Sequence, residues 1–467
     1  MFWLIVWALF TRLPQIISGT IPFSFDHGRD SLAVLHLIKT FNPVFIGPWT
    51  SIPGLFFGPG WYYLLAPAYL FSQGSPLAGP ITMFLLSLVG IILAYKYLGI
   101  FEAIMLATAP LWLQLSTGAA NPFPMAFIGL FLIIALKRNL NPLVTGLILG
   151  LGFHFSSALA VFWLLLVPFF IKLKRWPKLG LGVLITFIPQ LLFELKHNFS
   201  QFKAVVSYFT AGESQHLTPG KIAIVTKSVI NELNLAILPD NLVLKAIGIA
   251  ILGLGLIYLI AKHKLDRWFW QWLVLIILPT VGFWWLHYNP WYAYGLTPLT
   301  VVLVASILRR LPKPIAWLYC LLLILGSVLR KNPDLSTYKA FLPAKMTALN
   351  YVYDQSAGQP FASYHYLPEI YDYAYQYLYL WQAFRGRPLP VEFSYQPQAP
   401  TYVKEKADLL AKLPPSSGEA QKIFLIIEKP DNVWHYPLDS WLGQIGYKEV
   451  IDKKIICPEL EVWQVVR

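Results

Sequence analysis

The chain is short of charge. Only 13% of its 467 residues are Asp, Glu, Lys or Arg, against about 25% in an ordinary soluble domain. Apolar residues make up 57% and aromatic residues 16%, which excludes a soluble globular protein and implies a polypeptide that crosses a membrane repeatedly. Acids are scarcer than bases, and the formal net charge is +13. The bases nevertheless come as short clusters between apolar runs instead of as one stripe, so no nucleic-acid partner is expected. Cysteine is nearly absent. Cys320 lies in an apolar run and Cys457 near the C-terminal end, so no disulfide is expected between them. There is no CxxC, HExxH, Walker-type or dinucleotide glycine motif, and no internal repeat of the kind many transporters carry.

What the chain has is apolar runs punctuated by bases. A spanning helix needs about 20 mostly apolar residues, and Lys and Arg stay preferentially on the cytoplasmic side. Lys96, Lys137 with Arg138, KLKRWPK (172–178), KHKLDR (262–267) and RRLPKP (309–314) are separated by stretches that pair as excursions out and back. With the N-terminus cytoplasmic, the expected spans are 2–18, 77–96, 99–115, 123–136, 142–154, 157–171, 179–194, 241–260, 268–286, 292–308 and 315–329. About 11 crossings then put every cluster inside and residues 331–467 outside. The first span lacks a basic leader and a small-residue cleavage site, so it is expected to be retained. The expected location is the plasma membrane.

Between Asn141 and Lys172 the chain goes out and back in about 30 residues, so each half is shorter than the ~30 Å hydrocarbon core at ~1.5 Å per residue. The tip, GFHFSS (152–157), is expected below the outer surface, in a protein-lined or wet cavity, with His154 pointing into it. In the long first outer loop, GRDSLAVLHLIKTF (28–41) and GPGWYYLLAPAYLF (58–71) read as interfacial helices. After Arg330 charges and turns become frequent, which predicts a small soluble α/β domain over 331–467. Helices are expected at 336–355 and 369–384, and strands at PFASYHY, KIFLIIEK, EVIDKKII and ELEVWQVV, the last two forming a hairpin across Cys457 and Pro458.

Against this sparing use of charge, FSFDHGRDS (24–32) places Asp26, His27, Arg29 and Asp30 within five positions. His154 at the shallow tip, Glu194, Lys196 and His197 in FELKHNF, and His287 and Tyr288 in LHYNPWY fall at the same expected membrane level. Each group alone has a structural explanation: a solvated loop, a satisfied imidazole, an interfacial charge cluster or aromatic-belt residues. Together they point to one outer-face site, because ionisable groups in a membrane are costly. A carboxylate can act as general base on an acceptor hydroxyl, while Arg, Lys and His stabilise charge on a phosphate leaving group. That combination suits sugar transfer from a lipid-phosphate donor. Rival readings are a transporter or flippase of a lipid-linked or polar substrate, which predicts midplane charges where this chain has only Arg12, Glu102 and Lys245 near span ends, and a non-catalytic scaffold presenting residues 331–467.

The ordered set DHGRD, GPWTSIPGLFFGPGWYYLLAP, GFHFSSALA, LLFELKHNF and HYNPWYAYGLTPL resembles bacterial GT-C glycosyltransferases of family 39, the protein O-mannosyltransferase and aminoarabinose-transferase relatives with an RgtA/B/C/D-like domain. The resemblance covers roughly residues 1–330. It implies a multi-spanning α-helical GT-C membrane domain and an inverting transferase that moves one hexosyl or pentosyl unit from a polyprenyl-phosphate donor to a glycan, lipid or protein acceptor on the non-cytoplasmic face. It places Asp26 at the family's catalytic carboxylate, with His27 in place of the usual Glu and Asp30 as competitor. Arg29 would organise the loop or approach phosphate, and Lys196, His197, His287 and Tyr288 match lipid-phosphate contacts. A divalent metal is used by some relatives and dispensed with by others.

Overall fold

The computed structural model describes residues 1–210, 217–330, 338–367, 371–416, 418–429 and 436–466. The chain divides into two compact units, one of Met1–Pro14, Val44–Leu64 and Pro80–Lys331, the other of Gln15–Pro43, Leu65–Gly79 and Asn332–Arg467. The partition therefore differs from a single cut at residue 330: two early segments pack with the C-terminal residues.

In chain order the helices begin with α1 (Phe2–Ile17), α2 (Phe25–Thr40), α3 (Gly60–Phe71), α4 (Ala78–Tyr97), α5 (Ile100–Thr108), α6 (Pro110–Thr117), α7 (Pro124–Lys137), α8 (Pro142–Leu151) and α9 (Ser157–Leu166). They continue with α10 (Trp176–Lys196), α11 (Ser200–Thr210), α12 (Pro219–Leu235), α13 (Leu242–Ala261), α14 (Arg267–Trp285), α15 (Thr297–Leu308) and α16 (Lys313–Leu329). Each segment expected to cross the membrane falls on a helical element. Five helices among the described residues are long and apolar enough to span, and α5 with α6 makes a sixth, bent by 62°. Outward faces are apolar: Leu184 on α10 and Leu254 and Ile257 on α13 are exposed, as lipid-facing side chains are. This is a multi-pass membrane protein.

The α5–α6 bend explains the one arginine buried in α1. Pro110 has no N–H, so carbonyls at the break lose their helical donors. Arg12 supplies them: Nη2 donates to Leu106 O (2.9 Å), Nη1 to Ala107 O (3.0 Å) and Nε to Ser116 Oγ (2.7 Å). The basic clusters gather at one end of this unit. Arg309 pairs with Glu102, Arg310 with Asp266 at 2.6 Å, and Arg175 with Asn139, while Lys137 lies within electrostatic reach of Glu102, Arg309, Asp266 and Arg138.

The second unit carries α17 (Leu342–Ser356), α18 (Tyr373–Phe384), α19 (Lys406–Leu410), α20 (Leu438–Ile445) and a five-stranded sheet of order β2-β1-β3-β5-β4. Its strands are β1 (Phe361–Tyr366), β2 (Glu392–Ser394), β3 (Lys422–Glu428), β4 (Glu449–Cys457) and β5 (Leu460–Val466). Strands β1, β2 and β3 run parallel, and β4 and β5 form the antiparallel hairpin that the sequence predicts. Residues 336–337 and 369–370, the first two of each predicted helix, lie outside the described residues. Both cysteines are free.

The early segments are built into this unit. Phe23 N donates to Ala340 O (2.8 Å) and Leu342 N to Ile21 O (2.9 Å), a short antiparallel bridge. Helix α2 then packs along α18, with Leu32, Val34 and Leu35 fully buried. Gly28 is the point of closest approach, because a Cβ there would lie 2.3 Å from Ala374 N.

Candidate functional site

Ser24 precedes α2 in extended conformation and caps it. His27 Nδ1 accepts the Ser24 backbone N–H at 3.2 Å and lies 3.1 Å from Ser24 Oγ, a capping box with histidine at the third helical position. That bond fixes Nδ1 as the unprotonated nitrogen. Burial lowers the His27 pKa from 6.5 to about 4; Asp26 opposes the shift, and Arg29 and Lys345 reinforce it. His27 is therefore neutral near pH 7.

The capping puts Asp26 in the first turn of α2, where the helix dipole favours a carboxylate. Arg29, one turn on, spans the two acids: Nη1 reaches Asp26 Oδ1 at 2.7 Å, while Nη2 and Nε reach Asp30 Oδ1 at 2.8 and 2.9 Å. The acids differ in access. The Asp26 side chain is 62% exposed and that of Asp30 6%. Asp30 thus anchors the guanidinium from the buried side, and Asp26 presents an open carboxylate on the other. Behind α2, Ser31 Oγ lies 2.7 Å from Tyr69 OH, and Lys345, within electrostatic reach of His27, forms a buried ion pair with Glu428 that also accepts from Tyr375 OH at 2.7 Å.

The remaining predicted residues lie in the first unit, and three of their segments meet the loop before α3. His154 Nδ1 accepts from Gly60 N at 2.8 Å and its Nε2 donates to Thr186 O at 3.0 Å. Its ring lies so close to the loop that a Cβ at Gly58 would sit 2.4 Å from Nδ1. Glu194 caps α11, accepting Gln201 N and Phe202 N at 3.1 Å each, and the Gln201 side chain then accepts Phe56 N at 2.9 Å. His287 Nε2 accepts from Asn289 Nδ2 at 3.2 Å, and Asn289 adjoins Tyr292, whose hydroxyl lies 3.3 Å from Ser51 Oγ. His154, Glu194 and His287 are thereby linked through residues 51–60.

Lys196 and His197 are exposed at the end of α10; His197 Nδ1 donates to Phe193 O at 2.8 Å and its ring stacks on Phe193. Tyr288 donates to Ser228 Oγ at 3.2 Å, and burial pushes its pKa up to about 12. Sequence reasoning missed α12 and with it Glu232, whose carboxyl is raised by burial and acts electrostatically on Tyr288 and Tyr294. Ser51 and Asn289 lie inside two of the quoted stretches but are neutral residues that charge and hydropathy do not single out, and Gln201 lies outside all of them. Among the described residues no group of three His, Cys, Asp or Glu is placed to hold a metal ion.

The architecture is that of a multi-pass helical membrane protein with a small C-terminal α/β sheet unit. The particular likeness is to two crystal structures of ArnT from Cupriavidus metallidurans, one bound to undecaprenyl phosphate and one in the apo state. Each has a TM-score of 0.58 and covers 99% of this chain, with 98% and 97% of the ArnT chain covered at 11% and 12% identity. No family profile and no curated relative matches the sequence.

Proposed function

We propose that the chain is a glycosyltransferase that moves one sugar from a polyprenyl-phosphate donor to a glycan, lipid or protein acceptor on the non-cytoplasmic face. It would cross the membrane eleven times, with its N-terminus in the cytoplasm. The observation that carries this reading is the open Asp26 carboxylate, fixed by Arg29 in the first turn of α2. The near end-to-end likeness to ArnT, one of whose structures holds undecaprenyl phosphate, supports the donor class.

Asp26 acts as general base: it takes the proton of the acceptor hydroxyl as that oxygen attacks the anomeric carbon and the sugar–phosphate bond breaks, leaving polyprenyl phosphate. Arg29 aims the Asp26 carboxylate, and Asp30 is a positioning residue that holds Arg29. His27 fixes the start of α2 and contributes no proton near neutral pH. Lys196, His197, His287 and Tyr288 are proposed to contact the donor phosphate, and His154 and Glu194 to shape the loop segments that carry substrate contacts.

The transporter reading separates cleanly from this one. In vesicles holding the purified chain and a fluorescent polyprenyl-phosphate sugar, a transferase releases polyprenyl phosphate only when acceptor is added. Movement of intact donor between leaflets with no bond broken would identify a flippase instead.

A further inference from the structure

The second unit contains a cleft that the transfer reaction does not use. Strands β2 and β3 flank β1 on opposite sides, all three parallel. Ligands of open α/β sheets bind outside the carboxyl ends of such strands, where the connections part to either side. At that edge Tyr366, Tyr395, Gln396, Tyr436, Trp441 and Gln444 line a cleft of about 320 Å³.

Its walls are fixed platforms. Tyr366 OH donates to Tyr436 O at 2.5 Å and Trp441 Nε1 to Tyr395 O at 2.5 Å, so the polar tips of the two buried rings are spent on the backbone of the opposing wall. Tyr366 and Trp441 stand 5.4 Å apart between centroids. The floor is His365, which also resists a catalytic reading. His365 pairs with Asp372 and lies 3.1 Å from Ser363 Oγ, an order that imitates a hydrolase triad. Yet Ser363, His365 and Asp372 are 0%, 1% and 0% exposed, and Ser363 Oγ also accepts from Tyr379 OH at 2.8 Å. No nucleophile is presented; the network stiffens the floor.

What remains open to a ligand is aromatic surface and two amides. Among the described residues, the side chains of Gln396 and Gln444 have no hydrogen-bond partner, and no acidic, Lys or Arg side chain lines the cleft. The described lining thus offers no charged partner to a phosphate, a carboxylate or a cation. It fits a neutral molecule with an apolar face and hydroxyls at its edge. We infer that this cleft binds a pyranose sugar, its C–H face against the Tyr395 and Tyr436 rings and its hydroxyls on Gln396 and Gln444. The inference does not rest on the transferase reading, because it concerns binding without turnover.

The test is ligand-observed saturation-transfer NMR on the full chain in nanodiscs, free of sugar-based detergent, with methyl glucopyranosides, mannopyranosides and galactopyranosides and with indole as a flat apolar control. Saturation of the ring C–H protons of at least one glycoside is expected. It should fall about tenfold in Tyr436→Leu and in Gln444→Ala, with the unfolding midpoint of the exposed Gln444→Ala variant unchanged. No saturation of any glycoside, saturation equal in wild type and Gln444→Ala, or binding of indole alone would each overturn the assignment.

Discussion

Gly28 and Ala374 meet with no room for a side chain between them: a Cβ on Gly28 would lie 2.3 Å from the Ala374 amide nitrogen and 2.5 Å from its Cα. This contact sets α2 against α18, and with it the two carboxylates on either side of Arg29. The glycine of DHGRD is a packing requirement, not a hinge.

Gly28→Ala should therefore push α2 away from α18. Overpacking of this kind costs about 1–3 kcal/mol. A lower unfolding midpoint, with sugar transfer reduced alongside it, is the expected outcome. An unchanged midpoint would mean that the helices do not approach so closely.

His154 braces the loop before α3 from within, and Gly58 and Gly60 leave space for its ring. His154→Ala should loosen residues 51–60 and raise their rate of limited proteolysis and amide exchange. His154→Asn, which can still accept from Gly60 N, should restore part of the protection. Equal exchange in all three proteins would remove His154 from this role.

The ion pair of Lys345 with Glu428 is buried on both sides. Removing one partner strands the other charge, so Lys345→Met alone should cost about 3–5 kcal/mol. Lys345→Met combined with Glu428→Gln should recover much of that loss. Double-mutant thermal unfolding checks the coupling, and additive losses would contradict it.

His27 gives a pH signature. Its folded pKa is about 4 against 6.5 when free, so the unfolded chain binds more protons between those values. Its contribution to stability is fully present above 6.5 and is lost as the pH falls toward about 4. Replacing it by Gln, which can still accept from Ser24 N, should flatten the dependence of the unfolding midpoint on pH in that window. A variant with the wild-type slope would show that another group titrates there.

Much of the helical layout was legible because apolar runs and basic clusters state it directly: α4, α10, α13 and α14 fall within a few residues of the expected spans. The 99–115 span is broken instead, since Pro110 interrupts its hydrogen bonds, and apolarity does not register that. Helix α12 was missed because Lys221, Lys227 and Glu232 dilute its apolar residues, and β2 because three residues carry no alternation. The packing of α2 was not legible. Its apolar face announces that something covers it, but α18 lies more than 300 positions along the chain. The same gap hid the difference between Asp26 and Asp30, two acids equivalent in sequence and separated only by tertiary burial.

The central claim is that Asp26 is the base, and single-turnover sugar transfer from a polyprenyl-phosphate donor tests it most directly. Asp26→Asn should lower the transfer rate by about 10²- to 10⁴-fold with donor affinity retained, and Asp26→Glu should keep more activity than Asn. Asp30→Asn should act more weakly and through Arg29. Wild-type turnover in folded, inserted Asp26→Asn would contradict the account.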